Sequence, residues 1–327
     1  MKKITLSHLF LSRRKVLAGI VAASTATIAL APASVFAAPT EIRIGYQKNG
    51  VLYLAKETGQ LEAALKSKGL SVKWVEFSFG PPLLEALGAG SIDYGTTGDS
   101  PPIFAQAAGA KIVYVAAQEA AGSGAAILVK DGSNINSLND LKGKKVGFAK
   151  ASSSHNLTIA ALEKVGLKYN DIEPVYLAPA DGAAAFAKGA VDAWTIWDPF
   201  YAATELSVPS RVIATGQGLS GNNSFYLSST QLANQHPDAL VALFEELTRA
   251  DRFVQERRPE AIKMIADFSG LDAGVVNLFL KRRPRSPVGV LSQDTVKDQQ
   301  RVADAFARLA LIPKPVKVSD IVWRFAN

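Results

Sequence analysis

Two stretches of this chain repeat one another at an offset of ninety-nine residues, and that echo limits the folds open to it. Gly90-Ser-Ile-Asp93-Tyr-Gly-Thr96-Thr-Gly98-Asp99-Ser100-Pro101 is followed by Gly189-Ala-Val-Asp192-Ala-Trp-Thr195-Ile-Trp197-Asp198-Pro199-Phe200. Gly, Asp, Thr and Asp recur at matching places. Each copy is an apolar segment that stops at an acid beside a proline, which reads as a strand running into a helix start. The expectation is two similar half-structures, each ending a strand at a shared cleft.

The surrounding pattern agrees. Residues 41–47 and 71–77 alternate apolar and polar side chains, as half-buried strands do. Between them, 50–68 carries Leu52, Ala55, Leu61, Ala64 and Leu65 on one helical face and predicts one helix. Further strands are predicted at 92–96, 111–117, 125–129, 144–148, 174–177, 191–196, 211–214 and 224–227, interleaved with helices. Such alternation argues an α/β fold with largely parallel sheets. From Thr230 onward the periodicity is helical, a tail expected to pack around sheets already formed. Trp194 and Trp197 are expected on one face of the 191–196 strand, with at least one of them in the core.

The 327 residues suffice for two ordinary domains, and 48% hydrophobic with 20% charged residues marks a globular chain. The net charge of +7 suggests a polyanion partner until it is located. Residues 1–37 hold Lys2, Lys3, Arg13, Arg14 and Lys15 and no acid, which leaves only +2 for the rest. No nucleic-acid partner is expected. That segment reads as a cleaved export signal: a basic start, an apolar run from Val16 to Leu30, and small residues before a cut ahead of Ala38. Ser12–Leu17 resembles the twin-arginine motif, with the ordinary secretory route as the alternative. The mature chain is expected in the periplasm. Without cysteine it has no disulfide or thiol chemistry.

Motifs for catalysis or cofactors lack their context. Gly216-Gln-Gly218-Leu-Ser-Gly221 satisfies G-x-G-x-x-G, but strand-like residues follow where a dinucleotide site needs a helix. His8, His155 and His236 form no pair at ligand spacing, so neither metal nor cofactor is expected. Ser153 and His155 suggest nucleophilic catalysis, but no strained nucleophile turn accompanies them, and Ser152–Ser154 read as helix caps. Helix N-termini offer unpaired amides and partial positive charge, so they hold anions without catalytic groups. The starts after Gly80, Gly98 and Ala151 are such places, with His155 expected to add a donor. Trp197 is expected to line the cleft, while Asp99 and Asp198 are either caps or ligand contacts. Lys281–Arg285 is either a solvated basic face or the source of an Arg in the cleft.

Taken together, several segments resemble the aliphatic-sulfonate-binding proteins of ABC importers, within the nitrate/sulfonate/taurine-binding group. They include Ile44–Lys48, Gly80–Leu87, Gly95–Gly109, Asp140–Val146, Ser152–Asn156, Tyr176–Asp181 and Val191–Pro199. The resemblance covers nearly all of residues 41–327. It implies a type II periplasmic-binding-protein fold, with lobe 1 from residues 38–127 plus 228–327 and lobe 2 from 128–227. The crossings are expected near Ala126–Lys130 and Asn223–Leu227. It places a ligand among Gln47, Gly98, Asp99, Ser152, Ser153, His155, Trp197 and Asp198, with Asn223 and Arg283 as further contacts. It implies a monomeric, non-enzymatic receptor that closes on an alkanesulfonate and delivers it to an inner-membrane ABC permease with its ATPase. Taurine, nitrate or a thiamine precursor are alternative ligands, and a secreted serine hydrolase is the alternative outside the binding class.

Overall fold

The structure, a computed structural model, describes residues 41–324, so the segment expected as an export signal lies outside the described residues. Ten strands follow in order: β1 (Glu41–Tyr46), β2 (Ser71–Glu76), β3 (Tyr94–Thr97), β4 (Ile112–Gln118), β5 (Ala125–Lys130), β6 (Lys145–Phe148), β7 (Glu173–Tyr176), β8 (Ala193–Trp197), β9 (Ser210–Thr215) and β10 (Ser224–Ser229). They form two five-stranded sheets, β2-β1-β3-β10-β4 and β7-β6-β8-β5-β9. In the first, β1 runs parallel to β2 and β3, while β10 runs antiparallel to β3 and β4. In the second, β6 runs parallel to β7 and β8, while β5 runs antiparallel to β8 and β9.

The echo in the sequence is therefore a structural repeat. Gly90 and Gly189 both adopt φ +72°, a backbone that L side chains avoid, where the preceding helix gives way to the strand. Asp93 then accepts a bond from the Arg43 amide at 2.9 Å, and Asp192 accepts one from the Lys145 amide at 2.7 Å. Each acid ties its own strand to the central parallel neighbour.

Chain crossings between the sheets lie at residues 119–124 and 216–223, earlier than expected. The expected segments are corrected because β5 is bonded on both edges within the second sheet and β10 on both edges within the first. A strand fixed on both sides cannot serve as a hinge. The expected boundaries at 127/128 and 227/228 thus fall inside β5 and β10 themselves. The two crossings run against each other: the Gly122 amide donates to the Gly221 carbonyl at 2.8 Å. A Cβ on Gly122 would stand 2.4 Å from the carbonyl oxygen of Gly216, so the contact admits only glycine. Gly216 and Gly221 of the G-x-G-x-x-G spacing meet the other crossing here, while Gly218 takes φ +70°, and the motif precedes a strand and no helix.

Helices cover both faces of each sheet. The single helix expected over 50–68 is two, Gly50–Glu57 and Gln60–Lys66, broken where Gly59 takes φ +67°. Against their apolar face packs the long Pro237–Glu256 helix, through Leu240, Leu243 and Leu247, all fully buried. Each such leucine contributes about 1.5–3 kcal/mol. On the other face the Gln293–Arg308 helix brings Ala303 and Phe306 against Leu83, Ile103 and Tyr114. These two C-terminal helices pack on the first sheet, while Arg258–Ser269 and Ala273–Arg282 pack on each other and against Ala202 of the Phe200–Ser207 helix. Among the described residues no helix is long and apolar enough to cross a membrane.

The shared face expected for Trp194 and Trp197 is corrected. Their odd spacing sends them to opposite faces of β8. Trp194 is 1% exposed and packs beside Phe186, with ring centroids 5.9 Å apart, while Trp197 sits half-buried at the strand end.

Candidate functional site

A cavity of about 150 Å³ lies where strand ends of the two sheets face each other. On the scale at which one water needs about 10–15 Å³, this is room for a small organic molecule. Gln47 follows β1, Thr96, Thr97 and Gly98 end or follow β3, and Ser152 and Ser153 begin the Ser153–Lys164 helix. Trp197 and Asp198 end and follow β8, and Arg283 follows the Ala273–Arg282 helix.

Helices that start at this cavity differ in what they offer. Gly80–Gly88 and Ser100–Ala107 carry proline at their first positions, so they give up amide donors. Gly50–Glu57 and Ser153–Lys164 have no proline there and no side-chain cap bond. Ser152 occupies the N-cap position, yet its hydroxyl donates backwards to the Ala149 carbonyl at 2.7 Å. The cap expected from this serine run is thus positional only. First-turn amides at Ser153 and Ser154 keep no acceptor within the helix, and free amides of this kind can hold an anion.

Of the expected residues, Gln47, Gly98, Ser152, Ser153, Trp197, Asp198 and Arg283 line the cavity. Gln47 is held in place by donating from Nε2 to the Thr96 carbonyl at 3.1 Å. Arg283 is the one cation among the described lining residues, which also include two acids, Asp198 and Glu119.

Asp99, Asn223 and His155 do not line it, and these three expectations are corrected. The Asp99 carboxylate turns away to accept from Ser100 Oγ at 2.8 Å and Asn156 Nδ2 at 2.9 Å, while its carbonyl accepts from Gln299 Nε2. Asn223 uses Oδ1 to accept from the Ala120 amide at 3.1 Å, which ties one crossing to the other. His155 is fully buried, stacked on Phe148 with centroids 5.0 Å apart and edged by Phe306. Its Nδ1 accepts from the Ala151 amide, so Nε2 carries the proton shared with the Tyr169 hydroxyl at 2.9 Å. Burial, with a smaller contribution from Lys150, pushes its pKa down to about 3. Both ring nitrogens are engaged, and Ser153 Oγ accepts from the Asp99 amide instead. The nucleophile–base pair required for a serine hydrolase does not form.

Asp198 holds its carboxyl at the cavity wall. Its Oδ1 accepts from the Ala202 amide at 2.9 Å and from Arg282 Nη1 at 3.1 Å. Arg282 also pairs with Glu205 and lies 3.6 Å over the Tyr201 ring. Burial pushes the Asp198 carboxyl up to about 6 against the opposing pull of Arg282. Its Oδ2, Gln118 Oε1 and Thr97 Oγ1 are buried atoms without a partner in the protein. Neither Gln118 nor Thr97 was singled out from the sequence. Gln118 ends an apolar strand with no distinguishing motif, and Thr97 sits within the repeat but at a place the second copy does not match, where Ile196 stands.

Comparison with known proteins places this architecture. The sequence model of the family described as "NMT1/THI5 like" matches residues 49–271. The chain belongs to the NMT1/THI5-like family. The alkanesulfonate-binding protein SsuA of Xanthomonas axonopodis pv. citri, solved bound to MOPS, is 44% identical, with 88% of this chain and 99% of that chain covered and a TM-score of 0.83. The periplasmic aliphatic sulphonate binding protein SsuA of Escherichia coli is 41% identical, with 88% of this chain and 94% of that chain covered and a TM-score of 0.80. The taurine-binding periplasmic protein of Escherichia coli K12 is 27% identical, with 66% of this chain and 69% of that protein covered. The family fold is the type II periplasmic-binding-protein architecture expected from the sequence, with each sheet the centre of one lobe.

Proposed function

We propose that this protein is the periplasmic receptor of an ABC importer and captures small alkanesulfonates by closing its lobes over them. The observation that carries this reading is a cavity shared by both lobes, lined by uncapped helix starts and one arginine and also by the apolar ring of Trp197. A sulfonate suits the first set, and an alkyl group suits the second. The similarity to two sulfonate-binding proteins along nearly their whole lengths supports the same ligand class here.

Closure follows from contact with both lobes: a ligand that touches both shifts the population towards the closed form. No bond is broken, and the receptor acts as a monomer that hands its ligand to an inner-membrane permease with its ATPase. Isothermal calorimetry with methane- to octanesulfonate tests the reading. Absence of heat across that series would refute it.

Taurine is the second reading. Asp198 Oδ2 and Gln118 Oε1 are acceptors without a donor, and an ammonium at that end of the ligand would supply one. Competition between ethanesulfonate and taurine, with nitrate and sulfate as controls, separates the two.

A further inference from the structure

A second cavity of about 930 Å³ shares Pro81 and Pro101 with the first as a common wall. Its remaining walls again come from both lobes: Leu84, Phe104 and Ala105 from the first, Tyr176, Leu177 and Ala178 from the second. The room exists because small residues stand where the facing helices and strand ends approach. Tyr176 is 43% exposed, although it bonds through its hydroxyl to Tyr169 and lies under the Lys150 ammonium at 5.5 Å. An aromatic ring left open beside other apolar walls points to a missing apolar partner.

We infer that this outer chamber receives the hydrocarbon tail of an extended sulfonate whose head occupies the inner cavity. The inference rests on the sulfonate reading above. Pro81 and Pro101 line both spaces, so the two adjoin at these rings. Because the chamber has walls from both lobes, a tail within it favours the closed form as the head does. Each buried methylene raises affinity by about fourfold at most. The receptor would then prefer long-chain or aryl sulfonates over short ones, although the inner cavity alone fits a short one.

Calorimetry with ethanesulfonate and octanesulfonate on the wild-type protein, Ala105→Phe and Ala178→Phe tests this. Wild type should bind octanesulfonate more tightly by about fiftyfold, within the limit that six further methylenes allow. Each filled chamber should remove most of that gain and leave ethanesulfonate within twofold, a range that also reports correct folding. Equal affinities for the two ligands would overturn the inference, and so would octanesulfonate binding that neither substitution weakens. Loss of ethanesulfonate in both variants would show the chamber inseparable from the head site and likewise overturn it. If wild type binds neither ligand, the sulfonate reading falls and takes this inference with it.

Discussion

The backbone amide of Asp99 donates to Ser153 Oγ at 3.2 Å, and that bond joins the turn after β3 to the helix after β6, one lobe to the other. The approach is tolerated because residue 98 is glycine: a Cβ there would lie 2.1 Å from the same hydroxyl oxygen.

Gly98→Ala should therefore hold the lobes apart. Affinity for ethanesulfonate is expected to fall by about tenfold or more, a cost of roughly 1.4 kcal/mol. Adding Ser153→Ala removes the obstructing hydroxyl and should restore part of the loss, seen as a coupling in a double-mutant cycle. Additive losses would show that the two residues do not oppose each other during closure.

Arg283 supplies the one positive charge among the described cavity residues. Bonds to charged groups contribute about 1.5–3 kcal/mol. Arg283→Met should weaken sulfonate binding by roughly ten- to a hundredfold, measured by calorimetry. Arg282→Met should act differently: it strips the cation from the buried Asp198 carboxylate and lowers the melting temperature, by about 3 kcal/mol in stability.

Asp198 makes stability depend on pH in a direction unusual for a carboxylate. Its pKa is pushed up to about 6 in the folded protein, so the folded state binds the proton more tightly than the unfolded one. Stability from this group is fullest below the unfolded pKa near 3.8 and declines as pH rises to about 6. Asp198→Asn keeps an acceptor for Arg282 but cannot titrate. Wild type should lose roughly 2–3 kcal/mol relative to the variant between pH 4 and 7. Chemical denaturation at several pH values reads the difference, and parallel curves would refute the assignment.

His155 acts in the opposite sense. Its folded pKa lies at about 3 against 6.5 ordinarily, so its contribution is complete above 6.5 and is lost as pH falls towards 3. His155→Phe should flatten the acid side of the stability profile by roughly 3 kcal/mol between pH 6.5 and 4. Sulfonate affinity at neutral pH should stay within a fewfold, because the ring is fully buried and does not line the cavity.

Much of this arrangement was legible in the sequence because strand period and helix starts are local properties. Every predicted strand exists, and the echo between Gly90–Asp99 and Gly189–Asp198 marks a true repeat in which both acids follow the third strand of a lobe. What stayed hidden depends on contacts between distant segments. Asp99 and Asp198 occupy matching places, yet Asn156 draws the first carboxylate out of the cavity while Arg282 holds the second at its wall. His155 carries the residue type of a ligand donor, but Phe148 and Phe306 decide its surroundings. The crossings were misplaced because β5 and β10 read as ordinary strands, and nothing local says which sheet will accept them.

β4 and β10 are antiparallel neighbours, with Gln118 opposite Ser224. Seen from the first sheet alone, the pair is a hairpin whose turn has been replaced by the whole of the second lobe. Lengthening a loop costs chain entropy only logarithmically, so an insertion of this size strains the host sheet little. The first lobe should thus be separable: joining Gln118 to Ser224 through a short glycine-containing turn would leave every strand of its sheet in register. That lobe would be a scaffold into which a differently shaped partner half could be grafted.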